Sequence, residues 1–347
     1  MIKVFDGHND TLLRLLKNPT TDFFKMHRSG HIDFPRGKLG GFAGGFFALF
    51  TPGCSLLDTT RGPKGRGRKT GLFEPINHER ALTGTLNLAA KLLCLERASR
   101  GSFMIIRSID QLLQCMTSEV IGAIMHLEGA EAIDENLNCL EVLYAAGLRS
   151  LGITWSRGNI FGTGVSLDHF PGTPDIGPGL TKQGRRLVSA CNQLGILIDL
   201  SHLNEKGFWD VAALSDKPLV ATHSNSHTLC PSPRNLTDKQ LFEVAGTGGV
   251  VGINFGVRFL REDGKEAPST PIAEIVNHVN YLVDTIGIHH VAFGSDFDGT
   301  TIPNSMGDVR GLPKLINALR KIGYGDNDLK KIASENWARV LKTTWRQ

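Results

Sequence analysis

Eight short apolar runs, at residues 3–6, 41–50, 120–126, 148–154, 196–200, 218–222, 249–255 and 291–294, recur along the chain with little hydrophobic–polar alternation inside them. Between them lie segments with apolar residues at helical spacing, clearest at 78–98, 137–146, 181–194, 205–214, 238–244 and 272–286. An apolar run without alternation is a strand covered on both faces, and helical crossovers between consecutive strands make them parallel. Eight such units close into a (β/α)8 TIM barrel, an α/β fold. Thr181 reads as the N-cap and Gly195 as the C-terminal stop of the helix they bracket. A last helix over 326–342 would pack through Leu329, Ile332, Ala333, Trp337 and Leu341. The second run carries Gly40, Gly41, Gly44 and Gly45, which weaken a strand unless ligand or backbone approaches closely there.

A length of 347 residues suits either two average domains or one large barrel. No long Pro, Ser or acidic stretch interrupts the alternation and no internal repeat is visible, so residues 1–347 are read as one domain. With 41% hydrophobic and 21% charged residues, the chain can bury a large core. A net charge of +4 is modest, and no aromatic residues interleave with basic runs, which argues against nucleic-acid binding. The one basic cluster, 61–69 (RGPKGRGRK), reads as a solvated loop, with contact to an acidic ligand as the alternative. Cys54, Cys94, Cys115, Cys139, Cys191 and Cys230 show no CxxC spacing and are expected to be buried free thiols in a reducing compartment. The first strand begins at once and no apolar stretch approaches a membrane span, so a cytoplasmic protein without membrane contact is expected.

In a barrel of this type the catalytic groups come from the carboxyl ends of the strands. Those ends carry His8 and Asp10 after the first run, Glu128 after the third, His202 after the fifth, His223 after the sixth and Asp296 after the eighth. Residues i and i+2 of a strand point to the same side, so His8 and Asp10 can grip one cation from a single extended segment. Imidazole and carboxylate without thiolate suit zinc or another first-row divalent ion in hydrolysis, and a carboxylate such as Glu128 can bridge two of them. The expected arrangement puts His8, Asp10 and Glu128 on one metal and Glu128, His202 and His223 on the other. Two metals about 3.5–4 Å apart would share a bridging hydroxide and polarise a carbonyl oxygen, with Asp296 passing the proton to the leaving amine.

The motifs DGHND (6–10), LEGAEAI (127–133), IDLSH (198–202), THSNSH (222–227), SPRN (232–235) and GSDFDG (294–299), in this order, resemble the membrane dipeptidase (renal dipeptidase) family of zinc peptidases over nearly the whole chain. The resemblance implies a binuclear zinc barrel with the five ligands above, Asp296 in proton transfer, and Arg234 binding the C-terminal carboxylate of a dipeptide. An Arg fork can hold a carboxylate through two parallel hydrogen bonds. It further implies tolerance of a D-residue on the C-terminal side and, in many members, a homodimer.

One position departs from the mammalian members. Where they place a His that contacts the carbonyl oxygen, this chain has Trp155, as in bacterial-type members. An indole cannot become cationic, so oxyanion stabilisation would rest on the metals or on a neighbour such as Asn159 or Arg157. The alternative function keeps the metal centre but hydrolyses another amide, an N-acyl amino acid or a lactone, because fold and metal set do not fix the substrate. A further alternative is a catalytically silent scaffold. His126, His169 and His227 are expected to be structural or solvent-facing, and His31, His78, His278, His289 and His290 to lie on loops or helix surfaces. Asp298 reads as a turn group, and Asp6 as either a strand-end hydrogen bond or a group that orients an imidazole.

Overall fold

The structure, a computed structural model, describes residues 1–53, 73–167 and 170–346. The basic stretch 61–69, Cys54 and His169 lie outside the described residues. Nine strands form one parallel sheet: β1 (Val4–Asn9), β2 (Phe42–Leu49), β3 (Phe103–Ile105), β4 (Ile121–Glu128), β5 (Leu148–Gly152), β6 (Leu197–Asp199), β7 (Val220–Ala221), β8 (Val250–Ile253) and β9 (Val291–Phe293). Eight of them follow in the order β1-β2-β4-β5-β6-β7-β8-β9, and the ring is drawn together where Asn9 bridges Phe297 and Asp10 N donates to Phe297 O at 2.8 Å. The eight sequence runs therefore correspond to the eight strands of a (β/α)8 barrel. The ninth, β3, was not foreseen: it is three residues long and pairs only with β4, outside the ring.

The glycines of the second run mark a close backbone approach rather than a gap in the sheet. Gly44 pairs with Gly122 of β4 at φ +148°, and a Cβ there would sit 2.2 Å from the Gly122 carbonyl oxygen. Only a residue without a side chain lets β2 and β4 come together at this point.

Phe5, Phe46, Ile124, Leu197, Val220, Val250 and Ala292, each from a different strand of the ring, form one buried cluster with Trp337. Trp337 stands on the last helix, Asn336–Thr344, and its Nε1 donates to Phe293 O at 3.0 Å. Gly7 and Gly252 leave room for its indole: a Cβ at either would lie 2.6 or 3.1 Å from Trp337 Cζ2. The sequence reading of a closing helix thus holds, with a π-helical turn at Lys331–Glu335 inside it. Trp337→Ala would leave a large cavity against the strands and is expected to cost about 3–5 kcal/mol. Urea unfolding measures it, and an unchanged midpoint would contradict the role of this side chain.

The helix Lys182–Leu194 is capped as expected, with Thr181 Oγ1 accepting from Gly184 N and Gly195 in the left-handed region at φ +74°. His278 corrects the sequence reading. It faces the core of Ala273–Ile286 beside Ile275, Val279 and Leu282, where its Nδ1 accepts from Ser226 N and its Nε2 donates to Leu260 O. Burial pushes its pKa down to about 4. A base whose folded pKa lies below its unfolded value stabilises the fold above the unfolded pKa and loses that contribution as pH falls toward the folded one. Stability should therefore decline between pH 6.5 and about 4, by up to about 1.4 kcal/mol per pH unit from this group. Unfolding free energies of wild type and His278→Gln across that window test this; parallel curves would remove His278 as a source of the slope.

Among the described cysteines all are free: Cys115, Cys191 and Cys230 are buried, Cys139 is half-buried and Cys94, contrary to expectation, is exposed.

Candidate active site

Strand alternation places Asp6 and His8 on one side of β1, and Asp10, the first residue past its end, is the N-cap residue of the following helix, with its Oδ2 3.6 Å from His8 Nε2. Asp6, the deepest, accepts from Ser295 N at 2.6 Å and Ser295 Oγ at 2.7 Å, so it ties β1 to the segment carrying Asp296 rather than bonding an imidazole. Its burial pushes its pKa up to about 7. His8 is fully buried, and its ring stacks on that of His223 with centroids 3.7 Å apart. Neither ring nitrogen of His8 has a hydrogen-bond partner, and Asp10 Oδ1 is likewise buried and unpaired.

Glu128 closes β4 and turns its two oxygens in different directions. Oε2 lies 3.6 Å from His8 Nε2, whereas Oε1 lies 3.1 Å from His202 Nε2 and 3.7 Å from His223 Nε2. On the other side of His8, its Nε2 is 3.6 Å from Asp10 Oδ2, and ligand atoms of His8, Asp10 and Asp296 all lie within 4.8 Å of one another. A second such group joins His8, Glu128 and His223. His202 and His223 follow β6 and β7, with their Nε2 atoms 3.1 Å apart.

The outer nitrogens of these rings are held from behind. Thr222 Oγ1 donates to Asp199 Oδ2 at 2.6 Å and accepts from His223 Nδ1 at 2.8 Å, which leaves the lone pair on His223 Nε2. Ser156 Oγ lies 2.7 Å from His202 Nδ1. Burial, followed by the positive charge of neighbours such as Arg234 and His8, holds the His202 and His223 pKa values well below the usual range, so both present neutral nitrogens. Burial opposes charge on His8 too, but Glu128, Asp10 and Asp296 outweigh it and push its pKa up to about 10. Burial, reinforced by Asp10 and Asp296 against the opposing His8, raises Glu128 well above the carboxylate range.

Buried carboxylates pushed toward protonation, unpaired imidazole nitrogens and converging lone pairs all call for positive charge at this point. Divalent cations supply it, and nitrogen and oxygen donors without sulfur suit zinc or its first-row neighbours. The residues present fit such a group.

Asp296 sits in the left-handed region at φ +58° in the turn after β9, its N donating to His8 O at 3.0 Å. Its Oδ2 accepts from Asn254 Nδ2 at 2.9 Å. Burial, with Asp10 adding and His8, Asn254 and Arg234 opposing, pushes its pKa up to about 6. Gly299 makes room for this carboxylate: a Cβ there would lie 2.1 Å from Asp10 Oδ2 and 2.3 Å from Asp296 Oδ1. Asp298 is a structural group, as expected, accepting from Thr11 Oγ1, Arg14 Nε and His31 N. Arg234 is buried, donating from Nη1 to Ser224 Oγ at 2.7 Å and from Nη2 to the His223 carbonyl at 2.8 Å.

A cavity of about 280 Å³ opens above the cluster, with Asp10, Glu128, His202 and Asp296 among its lining. Trp155 also lines it, packed against Phe50 at 5.0 Å and Phe73 at 5.4 Å between centroids and tilted over His202 at 5.7 Å. Neither neighbour considered for the oxyanion lines this cavity. Asn159 is spent on its own loop, donating to Ile153 O at 2.8 Å and accepting from Phe161 N at 2.9 Å, and it lines a separate cavity beside Pro75 and His78. Arg157 is buried in a 2.7 Å bond to Glu131 Oε1 and another to Thr51 O. Asn159 thus satisfies the backbone of its own loop, and Arg157 is held by Glu131 and Thr51, which takes both side chains away from the site.

His126 lies below Glu128 on the same face of β4, bonded to Ser150 Oγ at 2.9 Å and neutral because burial pushes its pKa down to about 3. His227 bonds the Gly172 carbonyl at 2.8 Å. Sequence reasoning passed over Asn254, Gly299, Thr222, Asp199 and Ser156. Asp199, Thr222 and Gly299 fall within the six motifs, and Asn254 stands one residue past β8, a strand end that, like that of β2, carries none of the expected residues.

The barrel and its cluster of buried donors define a metal-dependent hydrolase. Residues 1–346 match the membrane dipeptidase family, peptidase family M19. The chain belongs to that family and is a metal-dependent dipeptidase by class, as the six sequence motifs implied. It is similar, at 47% identity, TM-score 0.91 and 99% coverage of both chains, to the crystal structure of a dipeptidase described as an M19 metallopeptidase. A Rhodobacter sphaeroides metallopeptidase, crystallised with a phosphinate mimic of the dipeptide L-Ala-D-Ala, is similar to the same extent, at 47% identity, TM-score 0.91 and 99% of each chain. A Klebsiella pneumoniae protein described as an uncharacterized protein in the pqqA 5′ region is 50% identical over 249 residues, 72% of this chain and 92% of its own.

Proposed function

We propose that this protein hydrolyses dipeptides with a free C-terminal carboxylate, tolerating a D-residue on the C-terminal side, with two zinc ions as its metals. The observation that carries the reading is the split of Glu128, one oxygen toward His8 and the other toward His202 and His223, which suits a carboxylate shared by two cations. The L-Ala-D-Ala mimic bound to the Rhodobacter sphaeroides relative supports the substrate class. His8, Asp10 and Glu128 would hold one ion, and Glu128, His202 and His223 the other. Such a pair supplies a nucleophile at neutral pH and polarises the scissile carbonyl.

The remaining work falls to this chain's own groups. Asp296, with Oδ2 fixed by Asn254, accepts a proton at Oδ1 and hands it to the leaving amine. Arg234, anchored on Ser224 and the His223 carbonyl, receives the C-terminal carboxylate. Trp155 offers a flat apolar wall to the bound peptide. Free thiols among the described cysteines fit a reducing, cytoplasmic setting. Among the described residues no helix is long and apolar enough to cross a membrane.

A panel of L,L and L,D dipeptides set against N-acyl amino acids and lactones tests the substrate class, and turnover confined to the latter would overturn it. Arg234→Ala should raise KM strongly for free dipeptides and far less for their C-terminal amides. Equal damage to both would remove Arg234 from carboxylate binding.

A further inference from the structure

We propose that Arg258 forms a second anion subsite at the mouth of the catalytic cavity and takes a substrate carboxylate other than the one held by Arg234. Dipeptides with an acidic side chain are then the preferred substrates. This rests on the dipeptidase reading and adds the substrate's charge to it.

The two arginines near the site differ in what they can reach. Arg234 is 2% exposed and anchored on Ser224 and the His223 carbonyl, with its Nε left unpartnered, whereas Arg258, on the Val257–Leu260 turn after β8, lines the open cavity. Arg258 is also held ready. One nitrogen donates to the Leu167 carbonyl at 3.1 Å, and the guanidinium carbon lies 5.6 Å from the Phe259 ring centroid, an arrangement that orients the fork without neutralising it. Among the described residues no carboxylate forms an ion pair with Arg258.

Of the acidic groups lining the cavity, Asp10, Glu128 and Asp296 belong to the cluster that would hold the metals, which leaves Asp298 and Glu266 to set against Arg258 and Lys17. Lys17 lines the cavity and is exposed. Asp298 is already shared among Thr11, Arg14 and the His31 amide. Glu266, which also lines the cavity, accepts from Thr301 Oγ1 at 2.7 Å and forms no ion pair with Arg258. A carboxylate entering here would be partly desolvated against Phe50, Trp155 and Phe259, where a charge-assisted bond to a fixed guanidinium is strengthened.

The test compares isosteric pairs: Ala-Glu with Ala-Gln, and Glu-Ala with Gln-Ala, each as free acid and as C-terminal amide, on wild type, Arg258→Met and Arg258→Lys. Wild type should favour the Glu peptide of at least one pair by roughly tenfold to a hundredfold in kcat/KM, the range of a hydrogen bond to a charged group. Arg258→Met should erase that preference, and Arg258→Lys should restore part of it. A loss equal for Glu and Gln peptides but absent for the amides would assign Arg258 to the main-chain carboxylate and overturn the side-chain preference. Equal loss on every substrate, or none, would overturn the subsite. Failure of wild type to cleave even Ala-Gln and Gln-Ala would overturn the dipeptide reading and the subsite with it, an outcome distinct from the others.

Discussion

Glu128→Gln is expected to lower kcat/KM by on the order of a thousandfold or more and to reduce the metal content of the purified protein. The amide keeps the shape of the side chain but has one neutral oxygen where the carboxylate turns an anionic oxygen to each side, 3.6 Å from His8 and 3.1 Å from His202. Without that charge, two cations would face three imidazoles with one carboxylate fewer to balance them. The same burial that raises the Glu128 pKa means that cation uptake must displace a proton, so loading should release protons and weaken in acid. Metal analysis beside steady-state kinetics reads both effects. A variant with full metal content and activity within tenfold of wild type would contradict the role of Glu128.

Asp296→Asn is expected to lower kcat by about a hundredfold to ten-thousandfold, the usual contribution of a positioned general acid–base group, while leaving the metal content close to wild type. The Ser295–Asp6 bonds fix the segment independently of the side chain at 296, and an amide oxygen there can still accept from Asn254, so the turn should survive the substitution. What disappears is the one oxygen beside Asp10 that can take up a proton. Full-rate turnover by Asp296→Asn would show that proton transfer runs elsewhere.

Most of the barrel was legible in the sequence because parallel strands covered on both faces must be written as unbroken apolar runs. β3 escaped because three residues pairing with a single neighbour leave no such signal. The converging residues His8, Asp10, Glu128, His202, His223 and Asp296 could be read from their shared place at strand ends, which is a one-dimensional property. Asn159 and Arg157 could not be judged that way. Their neighbourhood in sequence to Trp155 said nothing of the Ile153 carbonyl and Glu131 carboxylate that claim them in three dimensions. His278 lies on the apolar face of its helix with Ile275 and Leu282, and a histidine is accommodated there because Ser226 N and Leu260 O satisfy its two ring nitrogens, contacts that the sequence does not display. Gly299 and Asn254 matter through contacts to Asp296, and such contacts belong to the folded state alone.

We propose that His8, Asp10, Glu128, His202 and His223 cage two cations on which hydrolysis depends. Stripping the protein with a chelator and titrating zinc back, while following bound metal by mass spectrometry and dipeptide cleavage in the same samples, tests it directly. No cleavage is expected in the stripped protein, and activity should rise to its full level and flatten at two bound ions per chain. Cleavage that persists in the stripped protein, or activity that completes without specific zinc uptake, would contradict it.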